Sequence, residues 1–168
     1  MRPDEKLATL TRADVGRIRA ETGLAEAAFC EEDWLTEGEA LRAERERPLY
    51  AGYFKAAPVR LTLRREEGAC VFHGPARGCR LSRQARPVAC LLYPFELWPG
   101  GEWSVQMGRF GSLEEARHHP GQACLAVEEA DGMDAVLAAF GVAREGIEAL
   151  GARLREEVQE HGCRARRR

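Results

Sequence analysis

The chain has 168 residues, 45% of them hydrophobic, with 25 basic and 27 acidic side chains and a net charge of -2. That length fits one domain and buries roughly two-thirds of its unfolded surface, so cross-links are not needed merely to fold. The balanced charge does not point to nucleic acid, no run approaches the ~20 apolar residues of a membrane span, and the charged start MRPDEKLATL is unlike a signal peptide.

Of the basic residues only Lys6 and Lys55 are lysine, a compositional habit rather than a binding signal. The absence of secretory and membrane signals places the chain in the reducing cytoplasm. There six cysteines would be thiols, which serve more often as metal ligands or catalytic groups than as staples.

In chain order, Thr11 followed by Asp14 predicts a helix start, the hydroxyl capping amides and the carboxylate sitting in the first turn. Val15 and Ile18 give one apolar stripe, and Gly23 a stop. From Leu24 to Pro58 the pattern is weak: Phe29, Trp34, Leu35 and Leu41 are expected to face a core, and Arg42 to Arg47 to form a solvated helical face. Tyr50, Tyr53 and Phe54 make an aromatic cluster read as core packing.

The period changes at Val59. Val59, Leu61 and Leu63 alternate with Arg60, Thr62 and Arg64 as in a half-buried strand, with Gly68 as the turn and Cys70, Val71 and Phe72 as the expected partner strand. Gly74, Pro75 and Gly78 mark an irregular loop. A second hairpin is expected from Phe95 and Leu97 through Pro99-Gly100-Gly101 to Trp103, Val105 and Met107. Ser112 with Glu115 is a capping-box pattern opening a short helix before Pro120.

The last third reads as helical, with Met133, Val136, Leu137 and Phe140 at helical spacing and Ile147, Leu150, Leu154 and Val158 continuing it after Gly141. The expected fold is α+β: one domain over residues 1–163, helices at both ends and short hairpins around a cysteine site. Residues 164–168, with four arginines, form a frayed basic tail.

Cys70, Cys79 and Cys90 are separated by eight and ten residues, and Cys124 follows after thirty-three more. Three of the four sit in or beside Gly- and Pro-marked loops, which let thiolates approach one ion from different directions. Four thiolates suit tetrahedral zinc or an iron–sulfur cluster, so ligand identity leaves zinc and iron open. None of the gaps is a C-x2-C knuckle. For any single cysteine the alternative is a small buried hydrophobe, and Cys30 and Cys163 are read that way. His73 is expected to support the site from outside the ligand set or to face solvent. His118 and His119 are candidates for a substitute ligand. No Gly-rich phosphate or dinucleotide loop is present.

The stretch CVFHGPARGCRLSRQARPVACLLYPF resembles the signature of the YkgJ-type cysteine-cluster proteins, a zinc- or iron-chelating domain family. The matching positions are Cys70, Val71, Phe72, Cys79, Arg86, Pro87, Cys90, Tyr93, Pro94 and Phe95, with Cys124 near Gly121 in place of the family's last cysteine. LTRADVGRIRAETGL resembles the family's first helix.

Three features depart from that pattern. The close cysteine group before the first helix is missing, Leu91 replaces an arginine, and Leu125-Ala126 replaces Pro-Gly. The missing group leaves one metal centre and favours a reading frame that starts upstream of Met1.

The resemblance implies a metal-binding protein whose zinc or iron is held by Cys70, Cys79, Cys90 and Cys124 and is at least structural. Two rivals stand beside it. One is a methyl-transfer or redox enzyme akin to the cysteine-rich domains of flagellin lysine methylases, and the other is a metal-free interaction domain. Beyond the metal ion, no partner is legible.

Overall fold

A threonine and an aspartate cap each other at the first helix. In this computed structural model, which describes residues 8–74, 78–105 and 130–164 (side chains to residue 162), α1 spans Arg12–Thr22. The Thr11 hydroxyl accepts the Asp14 N–H at 3.0 Å and the Asp14 carboxylate accepts the Thr11 N–H at 2.9 Å. Gly23, at φ 69°, closes the helix in the left-handed region that glycine enters without a Cβ penalty. A second capping box, Thr36 with Glu39, starts α2 at Glu37–Glu46.

The strand β2, Val59–Leu63, forms where the alternation predicts, but its partner differs. It pairs antiparallel with β1, Cys30–Trp34, in the register Cys30 to Leu63 and Trp34 to Val59. The Cys30-Glu31-Glu32-Asp33-Trp34 segment has no apolar alternation to announce a strand. It is extended because β2 supplies its hydrogen bonds. Cys70 instead belongs to a minimal hairpin, β3 Arg65–Glu66 with β4 Ala69–Cys70, turned at Glu67 and Gly68, whose φ angles are 50° and 82°. Two positive φ values fit the primed turns that match strand twist.

Trp34 and Leu41, expected in the core, are 67% and 63% exposed. The first lies where β1 has run beyond the core. The second lies beside Ala40, the residue that α2 buries.

Downstream come β5 (His73–Gly74), β6 (Gly78–Cys79), α3 (Val88–Leu92), the expected hairpin of β7 (Phe95–Leu97) with β8 (Trp103–Val105), and two helices, α4 (Met133–Ala139) and α5 (Arg144–Arg164). The fold is α+β: helices with short antiparallel hairpins. Met107 and the capping box at Ser112 lie outside the described residues. No described helix is long and apolar enough to cross a membrane.

The buried side chains form two clusters. One joins Leu10, Ile18, Phe29, Leu61 and Phe72; the other joins Tyr53, Val88, Leu92, Ile147, Leu154 and Val158. Tyr53 ties them together, its hydroxyl donating to the Leu10 carbonyl at 2.6 Å and accepting the Leu61 N–H at 3.1 Å. A buried ionic network does the same between α1 and α5: the Glu157 carboxylate accepts from the Thr11 hydroxyl at 2.7 Å, from Arg17 at 2.7 Å and from Arg153 at 3.0 Å.

Candidate metal centre

Three of the four expected ligands fall in described parts of the chain, each on a different element. Cys70 ends β4 and Cys79 ends β6, and both pack half-buried on the rim of the first cluster. Cys90 lies in α3, whose Val88 and Leu92 are one turn apart and buried in the second cluster. At ~100° per residue Cys90 sits about 200° round the helix from Val88 and is exposed. The three described cysteines thus lie at the borders of the clusters, Cys70 and Cys79 on the first and Cys90 on the helix that packs in the second. Cys124 and the two histidines before Pro120 lie outside the described residues.

The thiols influence one another electrostatically. Burial is the main cause raising the Cys70 thiol, and the neighbouring Cys79 adds to it. Although Cys90 is exposed as a residue, desolvation of its thiol, then negative charge on Cys70, Cys79 and Asp14, push it up to about 12, against the Arg86 cation. Thiols that raise one another's pKa compete for a cation's charge and release protons when one binds.

The backbone prepares one of them. The N–H groups of Phe72 and His73 are directed at the Cys70 sulfur, two and three residues on, and favour its ionised form. They are held by cross-links between loops: Arg80 N–H bonds the Phe72 carbonyl at 2.8 Å, Val71 N–H bonds the Arg64 carbonyl at 3.2 Å, and the Arg80 guanidinium bonds the Val71 carbonyl. His73 pairs across the β5–β6 ladder with Cys79 and its ring is exposed.

Among the described residues Arg86 bonds carbonyls rather than a thiol. Its Nε donates to the Leu81 carbonyl at 3.1 Å and its Nη2 to that of Cys79 at 3.5 Å, so it staples the Cys79 loop while its charge lies near Cys90. Pro87 is the N-cap residue of α3 and sets the entry to Cys90. Tyr93, at 69% exposed, lies beside the cis bond to Pro94. Cys30 is a core residue, 8% exposed, its thiol raised by burial to about 11.

Among the described residues, no group of three or more His, Cys, Asp or Glu side chains is already arranged to hold a metal ion. Comparison with known proteins adds nothing to this. No family model, no curated protein and no solved structure matches the chain.

Two neighbours of the thiols carry no sequence signal for the site. Asp14, read as a helix cap, is fully buried and close enough to Cys90 to raise its thiol. Tyr50, read as core, is raised by burial first, against the Arg47 cation, and then by Asp14 and Cys90, with its hydroxyl bonded to the Thr9 side chain.

Proposed function

We propose that this chain is a cytoplasmic metal-binding protein of the YkgJ type, in which Cys70, Cys79, Cys90 and Cys124 hold one zinc or iron centre. What supports the reading, beside the motif from Cys70 to Phe95, is that Cys70 and Cys79 both raise the Cys90 thiol, so cysteines of β4, β6 and α3 lie within electrostatic reach of one another, and that the backbone N–H groups of Phe72 and His73 favour the Cys70 thiolate. Buried or crowded cysteines serving only as hydrophobes have no need of such donors, and Cys30 in the core shows what that alternative looks like.

A cation neutralises the thiolates and cross-links segments with little regular structure of their own: β4 and β6 are two residues each and α3 is five. A structural zinc contributes on the order of 10 kcal/mol to folding, enough to define these loops. The open arrangement closes as the ion draws the sulfurs together, with Cys124 as the fourth. Four thiolates accept zinc and iron alike.

Metal analysis of anaerobically purified protein tests this. About one zinc or iron per chain is expected, lost on replacing Cys70, Cys79 or Cys90 by Ser. A folded protein with no metal, which takes none up on addition, returns the chain to the interaction-domain reading.

A further inference from the structure

One carboxylate joins the cysteine helix to the rest of the fold. Asp14 has no exposed surface. Its Oδ2 accepts the Thr11 N–H at 2.9 Å, and its Oδ1 accepts the Val88 N–H, the first of α3, at 3.0 Å across 74 residues of chain. Arg17 pairs with Asp14 and with Glu157 of α5, so the carboxylate is itself anchored.

α3 has five residues, and its N-cap, Pro87, supplies no side-chain bond. A helix so short has no stability of its own in water, and its first N–H groups need an outside acceptor. Asp14 is that acceptor. Val88 lies two residues before Cys90, so what fixes the start of α3 also fixes the direction of the thiol.

We propose that Asp14 is a positioning residue for the metal centre, holding the amino end of α3 so that Cys90 is presented to Cys70 and Cys79. The inference rests on the metal-binding reading above. It predicts that a group with no ligand role sets the affinity of the site through one named cysteine. The competing role is structural only, with Asp14 tying α1 to α3 and α5 and the metal indifferent to it.

Cobalt(II), added anaerobically to the full chain, separates the two, because sulfur-to-cobalt charge-transfer absorbance counts thiolate ligands. The Asp14→Ala protein should bind cobalt about 10–100-fold more weakly, the usual effect of losing a group that orients a ligand. Its absorbance per bound ion should fall toward that of Cys90→Ser. In a Cys90→Ser background, Asp14→Ala should change affinity less than about twofold, since the residue it acts through is gone.

Tyr53→Phe breaks two buried hydrogen bonds elsewhere in the core, and should lower stability with the cobalt spectrum unchanged. If Asp14→Ala does not fold, Asp14→Ser serves: its single oxygen cannot serve both Thr11 and Val88, and the same loss is expected. Unchanged affinity and spectrum, or a loss that persists in full without Cys90, overturns the inference while leaving the metal centre standing. A wild-type chain that takes up no cobalt overturns the metal centre itself, and this role with it.

Discussion

His161 provides a test of the interior that is independent of the cysteines. It is 8% exposed, stacked on Tyr53 with ring centres 4.1 Å apart, and its Nδ1 has no hydrogen-bond partner among the described residues. Burial first, and the Arg12 cation second, lower its pKa from 6.5 to about 4. The folded state therefore keeps the ring neutral where the unfolded chain protonates it. Between about pH 6.5 and pH 4 the unfolded chain binds more protons, so this contribution is fully present above the upper value and lost as the pH falls.

The fall from 6.5 to about 4, at ~1.36 kcal/mol for each tenfold change in proton affinity, amounts to about 3 kcal/mol. Glu157, with its carboxyl held below the usual range, loses stability in acid in the same sense at lower pH, whereas burial raises Asp14 and acts oppositely. Replacing His161 by Phe keeps a ring against Tyr53 and removes the titration. Urea midpoints measured across this window should then fall with acid for the wild type, and the variant should lack about 3 kcal/mol of that fall. Parallel curves would refute the buried neutral imidazole.

Other substitutions follow from single contacts. Gly162→Ala places a Cβ 2.6 Å from the Gly52 carbonyl oxygen, and should cost about 1–3 kcal/mol in denaturant unfolding through overpacking. Tyr53→Phe strands the Leu10 carbonyl and the Leu61 N–H; at roughly 1–3 kcal/mol for each unsatisfied buried group, a loss near 3 kcal/mol is expected by calorimetry. Replacing Cys70, Cys79, Cys90 or Cys124 by Ser should lower metal content and melting temperature together. Cys30→Ala, within the core, should cost on the order of 1 kcal/mol with metal content unchanged.

Elements whose hydrophobic period and end signals agree could be read without the structure. Thr11, Asp14 and Gly23 bracket α1, Val59 to Leu63 alternate into β2, and Ile147, Leu154 and Val158 give α5 its buried stripe. The β1 strand could not be read, because its acidic run is extended only through pairing with β2. The cysteines announced themselves by a local motif. Asp14 beneath them was legible only as a cap: its bond to Val88 spans 74 residues, and nothing in the local pattern encodes that. The same holds for His161, whose burial comes from α5 lying against Tyr53.

The central claim is that cysteine sulfurs hold a metal ion. X-ray absorption at the metal edge of the loaded full-length protein reads those ligands directly. The account predicts a shell of three or four sulfurs at about 2.3 Å if the ion is zinc, reduced by one on replacing Cys90 with Ser. A shell of nitrogen and oxygen alone, or a sulfur count unmoved by that replacement, would contradict it.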